Sequence, residues 1–551
     1  MNNQAQTNST KRGPVGNLYA ADDGERSAML DQLRTIAALS KPWVLPPHGQ
    51  MENQPLPENY QSMGSMGVSN LEGKMLVALF PPEQPWFELQ PSAEERYRLR
   101  DDPDSLNELD AWLGFIELLA QAKLESVNIA VKLPRQSSFR SKKRQALSQL
   151  LVTGDVLERL DADYRLTVYR NDMYVTRRNN EGDVIYHVVR EIIDPRTLDP
   201  QKFNVGAAQL PDELVNKELA KDRMVDMYTL VERQPLSGTW VIKQEVNGGV
   251  ITKEGGSEEP ISPYFSTAFE LPPGENYGRG FVELNMGRLR TLDELERRLL
   301  DFAYIHSKQH PVLDMASMIR DEDLNQPSGR PIRGARVSGG QIQDMAWMAP
   351  SNTAQFQLVA EMVRSKTADL GRAMLLRTEV LPEKERVTAA QIRAEVSELD
   401  GALGGLYAPI ADSQQIPLLQ RTLWQMQRDM RIEKIGDDLA EIRAITGIAA
   451  LGREIDLARL LGVVQLIGSL PSEEAQARID YGVVVDRVVR LAGMNEPGVV
   501  KSRAQVEEEL KQRQQAVIAQ QAAEAAVTAA ADVAAKQAQA QLATTGVANV
   551  A

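Results

Sequence analysis

From residue 24 onward the apolar positions Met29, Leu33, Ile36 and Ala37 recur three or four apart, and this spacing predicts a helix over Gly24–Ser40. Residues 1–17 before it are polar, contain Gly and Pro, and are expected to form a disordered arm. Lys41–Pro57 is proline-rich and predicts an extended connection. Tyr60–Phe80 returns to helix, with Gly64 and Gly67 allowing close packing near its start. Glu94–Leu160 is predicted mainly helical, turning around Leu133–Phe139 and interrupted at Thr153-Gly154-Asp155. At Tyr164 the pattern changes. Tyr164–Arg170, Met173–Arg178 and Asp183–Glu191 are rich in Val, Ile, Tyr and Thr, and Asn179-Asn180-Glu181-Gly182 supplies a tight turn between two of them. Arg223–Val231 and Thr239–Val246 continue the strand pattern, and Asn247-Gly248-Gly249 suits a hairpin loop. The polar surroundings of Asp183 and Gly255 point to a small sheet rather than a buried one.

After Pro272-Pro273-Gly274 the helical period resumes. Leu289, Leu292, Leu295, Leu299, Phe302 and Ile305 form a stripe along Leu284–Gln309, a rod of about 39 Å. Pro311–Pro350 is a compact Pro/Gly-rich module with strand-like Gly334–Met348. A second amphipathic helix spans Thr353–Leu376 through Phe356, Val359, Val363, Leu370 and Met374. Arg377–Val387 is a short charged loop. Thr388-Ala389-Ala390-Gln391 then has capping-box spacing and opens a long helical pattern to about Met430, which Gly404-Gly405, Pro409 and Pro417 should bend. Helices are expected to continue to about Leu491, and the tail after Lys501 is Ala/Gln-rich and helix-favouring. The fold class is mainly α with a smaller antiparallel β-rich portion, an α+β chain.

Composition narrows the function. There are 551 residues, no Cys and four His, which removes thiol catalysis, Cys-based metal sites and disulfides. The 62 Lys+Arg against 76 Asp+Glu leave a net charge of −14, unsuited to a protein that grips nucleic acid by its phosphates. The polar N-terminus shows no signal-peptide pattern, and Met75–Phe80, an apolar stretch ending at Pro81-Pro82, is far short of the ~20 residues that span a bilayer. A cytosolic protein or a component of a soluble assembly, without a membrane partner, is therefore expected.

Candidate chemistry is sparse. Gly67-Val-Ser-Asn-Leu-Glu-Gly73-Lys74-Met75 has five residues between its glycines and Met after the Lys. A phosphate-cradling loop needs four and a Ser or Thr, so the segment reads as helix packing. His306 and His310 are spaced i, i+4, but no Glu lies between them, no third ligand is evident and Lys308 stands beside them. Helix C-terminal capping and an oligomer contact are the better readings. Acidic pairs such as Asp101-Asp102 and Glu258-Glu259, and the triplet Asp321-Glu322-Asp323, lack partners for catalysis or calcium binding. No catalytic residue, metal or cofactor is expected. The mixed charges on the long helices, including Arg288, Arg290, Glu294, Arg297 and Arg298, suit subunits packed side by side, as they also suit a solvated face.

Several motifs, read in order, carry a family resemblance. They are Asn70-Leu-Glu-Gly-Lys-Met-Leu-Val-Ala-Leu-Phe-Pro81 with Trp86, Ala146-Leu-Ser-Gln-Leu-Leu-Val-Thr-Gly-Asp-Val156, and Glu275-Asn-Tyr-Gly-Arg-Gly280. The strongest are Arg386-Val-Thr-Ala-Ala-Gln-Ile-Arg393 and Ser397-Glu-Leu-Asp-Gly-Ala-Leu-Gly-Gly-Leu-Tyr407, with Thr446-Gly-Ile-Ala-Ala-Leu-Gly-Arg453 following. From about residue 20 to 510 the chain resembles the portal, or head-to-tail connector, proteins of short-tailed, autographivirus-type bacteriophages. The tail after Lys501 shows little residue-level likeness, and the His306/His310 pair is not carried over.

The resemblance implies a non-enzymatic ring of twelve identical chains at a unique vertex of the virion capsid, made in the host cytoplasm. Double-stranded DNA would enter through its channel, driven by a separate terminase motor, and later leave through it. A tail adaptor, the major capsid protein and scaffold protein would be further partners. The family architecture has a wing, stem, clip and crown. Carried onto this chain, the wing would be 18–273 with its β-rich part at 164–271, and the stem 274–310 and 351–376. The clip would be 311–350, with Trp347 and Met348 as candidate partner contacts. A tunnel loop, 377–387, would place Arg377, Glu379, Leu381, Glu383, Lys384, Glu385 and Arg386 at the channel. The long bent wing helix would be 388–430, the crown 431–500, and the helical tail 501–551. Two alternatives stand beside this one: another virion structural protein, such as a scaffold or tail tube, and a DNA-packaging enzyme. The failed phosphate loop disfavours the enzyme, and the β-rich insertion disfavours a scaffold.

Overall fold

The computed structural model describes residues 12–50, 54–81, 86–125, 139–193, 225–246, 249–250, 257–307, 310–324, 331, 333–348, 353–376, 407–436, 439–444, 460, 462, 465, 484–485, 488 and 503–546. The chain divides into two compact units, one of residues 1–97 and 116–451, the other of 98–115 and 452–551. About half helical among the described residues, it carries several antiparallel sheets.

The first unit opens earlier than expected. Helix α1 (Pro14–Glu25) starts inside the stretch expected to be a disordered arm. Its buried residues are only Val15, Gly16 and Tyr19, too few to make a visible stripe in the sequence. Gly13 offers no capping side chain, and the cap comes from far away. The buried carboxylate of Glu245 accepts the backbone N–H of Gly13 at 2.7 Å, Val15 at 2.8 Å and Gly16 at 3.2 Å. A carboxylate at a helix N-terminus satisfies orphan donors and opposes the positive end of the dipole. The helix predicted over Gly24–Ser40 is broken at Arg26, and α2 (Ser27–Ala38) follows. Arg26 is buried, donating to Asn171 at 2.9 Å and lying 5.2 Å from the centre of the Tyr277 ring.

Helix α3 (Met63–Leu79) is followed by strand β1 (Phe87–Pro91), α4 (Ala93–Arg98), α5 (Pro103–Glu125) and α6 (Phe139–Thr153). The region expected to be helical to Leu160 ends sooner, because β2 (Asp155–Leu160) is a strand. It continues into β3 (Leu166–Tyr169), β4 (Tyr174–Arg178), β5 (Val184–Ile193), β6 (Val225–Arg233), β7 (Trp240–Val246), β8 (Gly249–Val250), β9 (Ser257–Glu259) and β10 (Tyr264–Ala268). Strands β4-β5-β6-β7-β8, with β9 also on β7, form a six-stranded antiparallel sheet; β10-β2-β3 form a second of three strands. The expected hairpins are present at Arg178/Val184 and at Val246/Gly249, residues 247–248 lying outside the described residues.

The larger sheet is buried, contrary to the expectation of a small exposed one. Val175, Val188, Tyr228 and Leu230 pack under Val15 and Tyr19 of α1. Their neighbours Tyr174, Val189 and Val231 face the other way, onto Leu157, Tyr169 and Tyr264 of the second sheet. With a helix on one face and a sheet on the other, both sets of alternating residues are apolar, and polar edge residues say little about the middle. His187 lies inside this sheet, its Nδ1 2.9 Å from the Thr176 hydroxyl. Burial, and then the nearby Arg178 charge, push its pKa down to about 3, so it is a neutral core residue at physiological pH.

Two long helices follow, Phe281–Ser307 and Thr353–Ala373, close to the two predicted rods. Between them lie β11 (His310–Leu313), β12 (Val337–Ser338), β13 (Gln341–Ile342) and β14 (Met345–Met348). Of the predicted long bent helix, residues 388–406 lie outside the described residues. The remainder comprises a short α segment (Tyr407–Ile410), a π-helical segment (Ala411–Gln415) and the Ile416–Arg428 helix. The helical expectation after Met430 is corrected by β15 (Ala440–Ala444), which pairs antiparallel with β1, Phe87 opposite Ala444. In the second unit the Ala/Gln-rich tail is one 44-residue helix, Arg503–Gly546.

Replacing Glu245 with Ala should release the start of α1, a loss of about 1–2 kcal/mol for a removed cap. Hydrogen exchange of the 13–19 backbone should speed up by roughly tenfold or more while the β5 and β6 amides keep their protection. Unchanged exchange at 13–19 would show that Val15 and Tyr19 alone hold the helix.

Candidate functional site

The helices Phe281–Ser307 and Thr353–Ala373 pack antiparallel, since the strands that continue them, β11 and β14, pair directly with His310 opposite Met348 and Pro311 opposite Trp347. The Phe302 and Phe356 rings stack 5.3 Å apart near this end. At the other end Leu289, Leu292, Leu370 and Met374 are completely buried. Towards the insert the apolar side chains emerge: Leu300, Tyr304, Leu358 and Met362 are all exposed. The pair is thus rooted in the first unit and bare at its tip. The insert itself is a small β module folded around Asp344, whose carboxylate accepts the Arg336 N–H and whose carbonyl accepts the Asp314 N–H. Met315, Met318, Val337 and Ile342 are exposed on it.

Two roots hold the pair. The first long helix begins immediately after Gly280, where the chain crosses the end of α6. Gly154, at φ +79°, sits so close to this crossing that a Cβ there would lie 2.4 Å from the Gly278 carbonyl oxygen. The Gly154 carbonyl accepts the Phe269 N–H at 2.8 Å. Beside it the buried Asp155 carboxylate accepts the Tyr174 hydroxyl at 2.9 Å and the Gly278 N–H at 3.4 Å, with Arg178 3.8 Å away. Burial nevertheless raises its pKa to about 6, against the lowering pull of Arg178, Tyr174, Gly278 and Arg26.

The second root lies at the end of Thr353–Ala373. Gly67 of α3 leaves a notch for Met374, and a Cβ at Gly67 would sit 1.9 Å from the Met374 sulfur. Asn70 Nδ2 donates to the carbonyls of Met374 and Leu375, each at 3.1 Å, and Lys74 Nζ donates to Leu375 O at 3.0 Å. The Gly67–Met75 segment is helix packing, as its mismatch to a phosphate loop indicates. Asn70 and Lys74 were not legible as functional residues. Their one signal is polarity within the otherwise apolar α3, together with Glu72, which is buried and paired to Lys41 at 2.7 Å and Arg144 at 2.8 Å.

The candidate residues of the charged loop, Arg377, Glu379, Leu381, Glu383, Lys384, Glu385 and Arg386, lie outside the described residues. Trp347 and Met348 are on β14, but their side chains lie outside the description as well. His306 and His310, spaced i, i+4, do not share a helix, because the helix ends at Ser307 and His310 opens β11. Among the described residues no group of three or more His, Asp or Glu side chains could hold a metal ion. No described helix is long and apolar enough to cross a membrane.

The family described as "Bacteriophage head to tail connecting protein" matches residues 17–500. The chain belongs to this family. The connector is 26% identical over 502 residues to the portal protein of Escherichia phage T7, covering 90% of each chain. It is 27% identical over 513 residues to that of Enterobacteria phage T3, covering 92% of the connector and 90% of the relative. The portal protein of Enterobacteria phage SP6 is 24% identical over 519 residues, with 92% and 93% covered. A chain of a solved gene transfer agent virion aligns with 81% of the connector and 92% of its own length, at 11% identity and a TM-score of 0.37, a likeness that carries no argument about the fold.

The buried root of the connector gives a pH prediction. Because the folded-state pKa of Asp155 is raised to about 6, the folded protein binds a proton there between about pH 4 and 6, where the unfolded chain does not. The stability from this group is full below about pH 4 and lost as pH rises through 6, a change on the order of 3 kcal/mol. Asp155→Asn should remove that component, leaving thermal stability flatter between pH 4.5 and 7 and no lower at pH 7. An identical pH profile in the variant would place the titration elsewhere.

Proposed function

We propose that this head-to-tail connecting protein is the portal subunit of a phage virion, a non-enzymatic ring at one capsid vertex through which double-stranded DNA is packaged and ejected. The observation that carries the reading is the antiparallel helix pair, rooted at one end and bare and apolar at the other, in a chain aligned over most of its length with portal proteins. Exposed Leu300, Leu358 and Met362 on these helices call for neighbours, and identical chains repeated around an axis supply them. On this reading the pair is the stem, and the β module between them is the clip, meeting terminase during packaging and a tail adaptor afterwards. Met315, Met318, Val337 and Ile342 join Trp347 and Met348 as its apolar contact candidates. Segment 377–387 is the tunnel loop, 388–430 the long wing helix and 431–500 the crown, while major capsid and scaffold proteins surround the ring.

The charge supports passage rather than capture. Twelve copies would carry roughly −170 formal charges, a like-charge surround in which counterion release cannot trap the duplex. In segment 377–387, Arg377, Lys384 and Arg386 balance Glu379, Glu383 and Glu385, so the loop can touch phosphates without holding them.

Light scattering of the purified chain at physiological salt should give a particle of roughly 730 kDa for twelve copies, and negative-stain images should show rings with an axial hole. A stable monomer at micromolar concentration would overturn the portal reading. Reversing Glu383 and Glu385 to Lys should leave rings intact, raise their DNA affinity steeply at low salt and slow genome passage. Unaltered DNA affinity at low ionic strength would remove this segment from the DNA path.

A further inference from the structure

The second long helix ends by a costly route. Leu376 N–H bonds to the Gly371 carbonyl at 2.8 Å and Leu375 N–H to that of Arg372 at 3.1 Å, closing the helix with Leu375 at φ +53°. This is the left-handed position where glycine is usual, and a residue with a side chain there costs about 1–2 kcal/mol. Such a conformation persists only where its surroundings over-determine it. Here they do. Asn70 donates to both terminal carbonyls, Lys74 adds a third hydrogen bond to Leu375 O, and Met374 is locked into the notch at Gly67. The Lys74 ammonium also lies at the negative end of the helix dipole.

Capping alone does not require this arrangement. A glycine at 375 with water on the carbonyls would finish the helix as well, and would leave the following chain free to depart in several directions. Leu375, with three hydrogen bonds from two side chains on two successive carbonyls, has its backbone held instead. The platform supplying those donors is itself fixed, since Glu72, between Asn70 and Lys74 on α3, is buried and paired with Lys41 and Arg144. We propose that Asn70 and Lys74 are positioning residues, which set the point and direction at which the chain leaves the second long helix at Leu376. The functional part of this inference rests on the portal reading above, in which the chain beyond Leu376 meets DNA.

The chain has no cysteine, so a single Leu376→Cys carries one spin label without background, and Arg372→Cys, on the last exposed turn, serves as control. In assembled full-length protein the label at 376 should be motionally restricted. Asn70→Ala with Lys74→Met should mobilise it several-fold while the label at 372 keeps its spectrum. Lys74→Arg should retain the restriction, and Leu375→Gly alone should relax it. Sedimentation of each variant checks that the assembled state is kept, and Lys74→Met alone replaces the double variant if that one fails to fold. No change at 376, or equal loosening at 372 and 376, would overturn the positioning role. Virions carrying the double variant should package or retain less full-length DNA. Loosening confined to 376 with normal DNA content would uphold the positioning role and overturn the placement of the following segment on the DNA path.

Discussion

At the centre of the first unit a fully buried lysine faces a fully buried glutamate. Lys143 Nζ of α6 lies 3.0 and 2.9 Å from the two carboxylate oxygens of Glu158 on β2, both side chains being sealed from solvent. Removing two charges from water costs several kcal/mol per ion, so the pair is tolerable only with excellent geometry and every remaining hydrogen-bonding need met. Phe80, Phe139 and Phe265 surround the ammonium at 5.2, 5.7 and 5.6 Å from their ring centres, and Gln414 donates to Glu158 at 2.8 Å. Burial still lowers the lysine pKa, against the raising effect of Glu158. Gln414 thereby ties its helical segment, Ala411–Gln415, to this ion pair. A Glu158 left without partners would be an uncompensated buried charge, the most damaging defect a core can carry.

The helix that bears Gln414 is irregular. Gln414 and Gln415 are both fully buried, the first on Glu158 and the second donating to the Leu79 carbonyl at 2.6 Å. Both lie in the π-helical turn over Ala411–Gln415, with Pro409 before it and Pro417 in the first turn after it. From this centre α6 runs to Gly154 and the root of the first long helix, while α3, packed on α6, carries the residues that hold the end of the second. Both long helices are thus referenced to the same α3–α6 packing.

Periodicity and composition made much of the protein legible. The apolar stripes of the two long helices reflect one-sided burial, which leaves a trace at every third or fourth residue, and both were placed to within a few residues. The antiparallel strands beyond Tyr164 announced themselves through β-branched and aromatic runs with turn residues between them. Absence of Cys and an acidic balance removed whole classes of chemistry, because those depend on residue type and not on arrangement. The ordered motifs, from Asn70–Pro81 through Arg386–Arg393, carried the family.

What the chain alone left undecided is everything that depends on partners distant in sequence. Helix α1 is capped by Glu245, about 230 residues away, and packs Val15 and Tyr19 on the sheet, and its own pattern is too thin to foretell either. Asp155–Leu160 and Ala440–Ala444 are strands because β10 and β1 lie beside them, although their local sequences are compatible with helix. His306 and His310 share a helical spacing but no helix, since the strand pairing of His310 with Met348 ends the helix first. Asn70 and Lys74 take their meaning from two carbonyls some 300 residues on. Local propensity and one-sided burial are written residue by residue, whereas a carboxylate cap, a strand's neighbour or a carbonyl clamp exists only once remote segments have been brought within hydrogen-bonding distance.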